Sequence, residues 1–449
     1  MVLRARTLSG GVHLDDRKIS SGKPVEFAGI PPEIVLFMSQ HTGAPAKPVV
    51  KPGDRVLAGQ VVGEAQSFVS APVHASTSGI VKAVENRYHP ILAKPSTAVV
   101  IEPDGKGEIW EGIAPGSDDI SALSPEDIVK IARNAGLVGL GGAAFPTAVK
   151  LSPPKDKPID VYLLNGAECE PYLTCDARLM VEEADEIVFG FMAMMKAVGA
   201  PRGIVCIEDN KPEAIMAMER AISGKPGIEL CVLKTRYPQG GEKQLIQVVL
   251  GREVPPPPGL PFDVGVVVSN VGTAYALAKA IRTGMPLVDR VVTVTGAVRS
   301  PSNFRVLLGT PVSFLIEKAG GYAGEPGKVI MGGPMMGISL PRTDVPVVKG
   351  TTGIVVMTRD EVNLDKPLPC IRCGRCVDAC PLRLLPVWIA AYSDRGTYEE
   401  AEKYRALDCC ECGVCAYRCP SRRPLVQSIR LAKQAIMEER RARAQKASG

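Results

Sequence analysis

A chain of 449 residues, 45% hydrophobic and 22% charged, has material for several cores, which excludes a disordered protein or a single small domain. Its net charge of +5 is far from the dense basic stripe that nucleic-acid binding requires, so no nucleic-acid partner is expected. The longest mostly apolar run, Ile187 to Val198, is about a dozen residues long and is interrupted by Lys196, too short to cross a bilayer. The first residues, with Arg4, Arg6 and a glycine turn, lack the apolar stretch of a signal peptide, and the expectation is a cytoplasmic protein.

From Val49 to Val84, short apolar stretches are punctuated by Gly53, Gly59, Gly63, Pro72 and Gly79, the pattern of a small, tightly turned β-structure. The phrases Lys51 to Gln60, Ala71 to His74 and Ser78 to Val81 resemble the biotinyl/lipoyl carrier barrel. A carrier presents a lysine at its hairpin tip, where this chain has Ala65-Gln66-Ser67-Phe68, so a structural or docking barrel is expected. His74 and His89, near turns and without a second ligand at helical spacing, read as surface histidines.

The central region alternates helix and strand. Ser124 reads as the N-cap of a helix with Pro125 at its first position, Glu126 and Asp127 in its first turn, and Gly136 ending it. Next comes Gly139-Leu140-Gly141-Gly142-Ala143-Ala144-Phe145-Pro146-Thr147, a loop with little side-chain bulk that leads to Lys150. Such a loop can bring backbone N–H groups against a phosphate, although a tight turn packed beneath a helix looks the same. Expected strands at Val161 to Leu164, Gly203 to Ile207 and Val264 to Val268 end in Asn165 to Pro171, Glu208 to Asn210 and Ser269 to Thr273, polar groups at the edge where α/β sheets hold ligands. Tyr237 to Lys243 adds a fourth loop of this type.

These loops resemble the FMN- and NADH-binding loops of the flavoprotein subunit of respiratory complex I. Asn165 to Tyr172, Ser269 to Ala276 and Val329 to Gly337 more closely resemble the RnfC family, the C subunits of Rnf electron-transport complexes, and the likeness runs over nearly the whole chain. The resemblance implies that Gly139, Gly141 and Gly142 face the flavin, that Lys150 meets its phosphate, and that Asn165, Ser269, Asn270 and Thr273 hold the ring and ribityl chain. Phe145, Glu170 and Glu242 would orient NADH, with Glu168 and Gly240 in the same binding loops. Where the complex I flavoprotein usually has further acids, this chain has Ala167 and Gly241. No acid–base dyad is implied, because hydride transfer needs a stacked and polarised ring.

The β-branched run Val291 to Thr295, the turn at Gly296 and a short helix near Pro311 to Ala319 resemble the β-grasp module that follows the flavin fold in both families. Gly320, Gly321, Gly332 and Gly333 read as a structural spacer, since neither a lysine nor a helix N-terminus follows them.

Nine of the thirteen cysteines fall between residues 370 and 419. Cys370-x2-Cys373-x2-Cys376-x3-Cys380-Pro381 and Cys409-x2-Cys412-x2-Cys415-x3-Cys419-Pro420 are two copies of the bacterial ferredoxin run, in which the fourth cysteine ligates the other cluster. The expected quartets for two [4Fe–4S] clusters are therefore Cys370, Cys373, Cys376 with Cys419, and Cys409, Cys412, Cys415 with Cys380. Zinc accepts paired CxxC motifs, but interleaved CxxCxxCxxxCP runs are far more specific. Cys410 has no slot and reads as a spare buried thiol, while Cys169, Cys175, Cys206 and Cys231 read as packing residues. Leu425 to Lys446 looks helical, and from Arg430 on six basic residues (Arg430, Lys433, Arg440, Arg441, Arg443, Lys446) face two acids (Glu438, Glu439), a net of +4. That tail fits either a solvated helix end or attraction to anionic lipid or an acidic partner.

The expected fold is multidomain α/β: a barrel-sandwich-like region over 1–120, an FMN/NADH-binding α/β domain over 121–288, a β-grasp module over 289–345, a ferredoxin-like dicluster helical segment over 360–430 and a basic tail over 431–449. The resemblance implies FMN, NAD(H) and two [4Fe–4S] clusters. It also implies a peripheral place on the cytoplasmic side of the membrane, beside other Rnf-type subunits that include membrane subunits and an iron–sulfur subunit. The cobalamin reductase of propanediol-utilising microcompartments has the same module order and remains an alternative.

Overall fold

The computed structural model describes residues 2–5, 8–363 and 365–448. Arg6 and the side chains of Arg4 and Lys446, which entered the reading of the termini, lie outside the described residues. The fold is multidomain and mixed α/β, with four separate sheets among the described residues and a helical C-terminal unit.

The flavin-type region is built on a five-stranded sheet in the order Val2–Arg4, Ile228–Leu233, Arg202–Glu208, Val161–Gly166, Val266–Asn270, with every neighbour pair parallel. Its central strands are buried on both faces, which explains the unbroken apolar runs in the sequence. Parallel strands put all their carboxyl ends on one edge, so Asn165, Glu208 and Asn270 come together there. The last of these strands starts at Val266, because Pro261–Val264 forms a 3-10 turn closed by Gly265 at φ +70. The helix Pro125–Asn134 opens on a reciprocal cap: the Ser124 hydroxyl accepts the Asp127 N–H and Asp127 accepts the Ser124 N–H.

A six-stranded mixed sheet carries the β-grasp strands Asp289–Gly296, Ser302–Leu307, Pro326–Met331 and Gly353–Thr358. One edge strand is Val25–Phe27, and Val2–Arg4 joins the flavin-type sheet, so the N-terminal segment stitches two other units together before the barrel strands begin at Ile34–Phe37. The barrel consists of a four-stranded and a three-stranded sheet that end with Lys94–Pro103. His74 and His89 are buried there, contrary to the surface position expected from the turns around them. Burial is possible because His89 bonds the Ser39 carbonyl and the Ile91 and Leu92 N–H groups, and Phe37 packs 4.4 Å from its ring.

In the C-terminal unit, short helices Arg375–Asp378 and Val414–Tyr417 each follow a left-handed glycine, Gly374 and Gly413, and the long helix Leu425–Ser448 packs on Val414–Tyr417 and on the helix Pro386–Ser393. Much of its basic tail is committed to ion pairs: Arg430 and Lys433 with Glu411, Arg440 with Glu402, and Arg443 with Glu439. Among the described residues, no helix is long and apolar enough to cross a membrane.

Candidate functional site

Loop backbone builds the mouth of the site. Gly141, Gly142 and Ala143 are exposed, and among the described residues their three successive N–H groups make no hydrogen bond. Gly142 has φ +114 with nothing within 4 Å of a would-be Cβ, whereas a Cβ on Gly141 would stand 3.3 Å from that of Asn270. The loop is closed at its base by Gly139 N–H to Phe145 O at 2.8 Å and Ala144 N–H to Gly139 O at 3.1 Å. Consecutive unpaired N–H groups on bulk-free backbone fit an anionic, planar cofactor such as FMN.

The polar side chains expected to touch the cofactor hydrogen-bond these loops to one another. The Thr273 hydroxyl accepts the buried Leu140 N–H at 2.9 Å, fixing the glycine loop on the helix Val271–Thr283. Asn270 caps that helix by accepting the Gly272 N–H and donates to Asp176 at 2.6 Å. Asn165 donates to Gly240 O at 2.8 Å and accepts the Ala167 N–H, joining two of the ligand-type loops. Ser269 shares a 2.9 Å hydrogen bond with the Tyr162 hydroxyl, buried under the sheet edge. Lys150 Nζ lies 2.8 Å from Glu242 Oε1 and 2.7 Å from Val268 O, so the expected phosphate-binding cation and the expected nicotinamide-binding acid form one pair at the sheet edge.

Glu168 and Glu170 point inward. Glu168 accepts the Asp176 and Ala177 N–H groups at 2.7 and 3.2 Å, capping the helix Cys175–Glu182, and it stands with Cys175 and Asp176 in one acidic cluster. Burial, and then the Glu168 charge, pushes the Asp176 carboxyl up to about 7. Glu170 accepts the Met335 and Met336 N–H groups at 3.0 and 2.8 Å, tying the loop to the glycines near residue 333; burial raises its carboxyl to about 7.

Several residues not singled out from the sequence hold the cradle from outside its own domain. Lys18 Nζ donates to the carbonyls of Glu168, Glu170 and Leu173. Thr42, from the barrel, donates its N–H to Ala144 O and its hydroxyl to Ala143 O. Buried Arg290, from the β-grasp sheet, donates to Leu140 O at 3.0 Å and to Lys349 O. None belongs to a recognisable motif.

In the cysteine unit, Cys380, Cys409, Cys412 and Cys415 line one pocket with apolar walls that include Leu384, Val414, Val426 and Ile429. Burial pushes the Cys409 and Cys415 thiols up to about 12, a cost that metal coordination removes by holding the thiolate. Four convergent thiols in an apolar shell fit a [4Fe–4S] cluster. Cys376, with burial as the main cause, is raised also by the nearby Cys419 and Cys370 thiols, while Cys370 and Cys373 are exposed. Cys410 lines the same pocket as Cys380, Cys409, Cys412 and Cys415, packed with Tyr237 and Met335.

The two centres share a wall. The Tyr237 hydroxyl donates to Cys412 O at 2.8 Å, and Tyr237 packs with Val12, Leu14, Ala379, Cys412, Val414 and Cys169. The same loop carries Gly240, where a Cβ would stand 3.2 Å from Ala167 and 3.4 Å from Cys169 Sγ.

Family models match in the order of these units: the RnfC barrel sandwich hybrid domain over 6–106, the Nuo51 FMN-binding domain over 132–279, the SLBB domain over 291–339 and the 4Fe-4S dicluster domain over 362–435. FMN and [4Fe–4S] clusters are thus the cofactors of this module order. A crystal structure of an NAD⁺-reducing [NiFe]-hydrogenase in the H2-reduced state is 19% identical and covers 69% of this chain and 63% of its own, with a TM-score of 0.51, a likeness of fold. The C subunit of the Na⁺-translocating ferredoxin:NAD⁺ oxidoreductase complex of Acetobacterium woodii is 48% identical over 98% of this chain and 99% of its own. The proton-translocating counterpart of Clostridium ljungdahlii is 48% identical over 95% and 93%. The C subunit of the ion-translocating oxidoreductase complex of Rhodobacter capsulatus is 45% identical over 97% and 84%. With identity near one half along nearly the full length of both chains, and all four modules in order, the chain belongs to the RnfC family, the C subunits of Rnf-type ion-translocating oxidoreductase complexes.

Proposed function

We propose that this chain is the NAD(H)-reactive flavo-iron–sulfur subunit of a membrane-bound, ion-pumping ferredoxin:NAD⁺ oxidoreductase. FMN, when bound, exchanges a hydride with the nicotinamide and passes single electrons to or from the two [4Fe–4S] clusters. The chain would sit peripherally on the cytoplasmic side, held by membrane subunits and an iron–sulfur subunit.

The observation that carries this reading is the shared wall at Tyr237. One loop reaches the flavin-type cradle through Gly240 and the inner cysteine quartet through the Cys412 carbonyl. The Gly141 to Ala143 N–H groups would receive polar atoms of the cofactor, and the Lys150–Glu242 pair would set the charge at the sheet edge where the nicotinamide arrives. Glu168 and Glu170, spent on backbone N–H groups, would act by shaping the loop. Cys380, Cys409, Cys412 and Cys415 would hold the inner cluster and Cys370, Cys373, Cys376 and Cys419 the outer one. In the anaerobically purified protein, NADH should bleach the flavin and then raise a cluster signal in electron paramagnetic resonance. A flavin that dithionite reduces and NADH leaves oxidised would remove the nicotinamide from this reading.

A further inference from the structure

The two cysteine runs are a structural repeat. Aligned from Cys370 and Cys409, Ile371 matches Cys410, Arg372 matches Glu411, Gly374 matches Gly413 and Arg375 matches Val414. The backbone repeats as well: Arg372 and Glu411 are both left-handed, at φ +57 and +59, and Gly374 and Gly413 at +74 and +81. A repeat of this kind has two equivalent faces, one over each quartet.

The face over the inner quartet is occupied. Val414 is fully buried, and Cys410 and Ala379 pack with Val12, Tyr237 and Met335. A Cβ on Gly413 would stand 2.8 Å from Met335 O. Glu411 is turned inward and held by Arg430 and Lys433. On this side the docked surface is the loop of Tyr237 with Val12 of the N-terminal segment and Met335 of the β-grasp module.

The matching face over the outer quartet is open. Among the described residues, nothing lies within 4 Å of a Cβ on Gly374. Ile371 is 67% exposed, and Tyr417, beside Cys419, is 57% exposed. Around them Arg372, Arg375 and Arg418 are exposed, and among the described residues they make no ion pair. The buried seat offers Glu411 and Val414, whereas the open one offers Arg372 and Arg375 at the same two positions. Resting on the electron-transfer reading above, we infer that the open face is the docking seat for an acidic iron–sulfur electron-transfer protein, which packs on Ile371 and Tyr417 beside Arg372, Arg375 and Arg418, as Val12, Tyr237 and Met335 pack on the other repeat. One electron crosses per encounter, and no bond or proton changes hands. Charges at the rim of such a seat raise the encounter rate and choose the partner, while the apolar centre holds it.

The test uses the full chain with its clusters and, as probe, an acidic two-[4Fe–4S] ferredoxin. Calorimetry with both proteins oxidised measures affinity without electron flow, at low and at near-physiological ionic strength. The wild type should bind, and more weakly as salt screens the contact. Arg372→Glu with Arg418→Glu should weaken binding by on the order of tenfold or more at low salt and flatten the salt dependence. Glutamate suits the left-handed backbone at 372, since Glu411 adopts it in the other repeat. Ile371→Ser should weaken binding several-fold and leave the salt dependence in place. Iron content, flavin content and bleaching by NADH should be unchanged in all variants. A charge-reversed chain that binds like the wild type, a wild type that does not bind, or one that prefers basic cytochrome c overturns the inference. Failure of NADH to bleach the flavin overturns the electron-transfer reading instead, while the calorimetric result still decides the seat.

Discussion

Thr273→Val removes one hydrogen-bond acceptor and almost no volume, which makes it a sharp probe of how the cradle is held. The Thr273 hydroxyl accepts the Leu140 N–H at 2.9 Å; Thr273 is 1% exposed and Leu140 4%. Valine fills the same space and leaves that N–H buried without a partner, which costs about 1–3 kcal/mol. The glycine loop escapes the cost by moving Leu140, so the conformation with Gly141 to Ala143 presented for FMN becomes the strained one. If flavin binding must restore it, the Kd for FMN rises by the same free energy, roughly 5- to 150-fold at about 1.4 kcal/mol per factor of ten. Titration of deflavinated protein, followed by quenching of flavin fluorescence, measures this directly. Thr273→Ser keeps the acceptor and should remain close to wild type, and iron content should not change in either variant. An FMN affinity within about twofold of wild type in Thr273→Val would refute the claim that this contact holds the loop in its binding form.

The barrel's grip should be visible in the same assay: Thr42→Val removes the hydroxyl bond to Ala143 O at 3.1 Å and should raise the Kd for FMN roughly 2- to 12-fold, about 0.5–1.5 kcal/mol, and no change would show that this hydroxyl does not hold the flavin loop. Cys409→Ser and Cys380→Ser should each lower iron below the roughly eight atoms that two cubanes need, while Cys410→Ser should leave it unchanged; if Cys410→Ser loses iron as they do, the quartets are wrongly drawn. Lys349 is fully buried, donates to Pro72 O and Gly136 O at 2.8 and 2.7 Å, and is pushed by burial from 10.5 down to about 7. The unfolded chain therefore binds more protons than the folded one between those values, so the Lys349 penalty is full below that window and is relieved as pH rises through it. His41 and His74, which stand beside it, are lowered to about 4 and about 3 and do not titrate there. The thermal midpoint of the wild type should rise relative to Lys349→Met between about pH 7 and about pH 10, and a constant difference would show that the amine is not desolvated.

The dicluster chemistry of the two cysteine runs was legible in the sequence because it is local. A CxxCxxC turn places three thiols within one short loop, and the glycine after the second cysteine takes the left-handed φ the turn requires, as Gly374 and Gly413 do. The glycine loop and the parallel strands were legible for the same reason: bulk-free backbone and unbroken apolar runs are properties of neighbours in the chain. Which side chains tie these loops together was not. Asn165, Thr273, Glu168 and Glu170 bond Gly240, Leu140, Asp176 and Met335, up to 165 residues away, so packing decided that they hold the loops together. The grip of Thr42 and Arg290 on the glycine loop spans 101 and 150 residues, and neither residue sits in a motif. His74 shows the limit most directly: turn residues on either side promise a surface position, but the flavin-type domain and Lys349 close over that side of the barrel, and the ring is buried. The sequence by itself determined which chemistry the chain carries, through spacings that a few bonds enforce. Only the tertiary structure decided which of the two cysteine repeats is covered and which stays open, because that depends on where the loop of Tyr237 lands, and no local spacing encodes it.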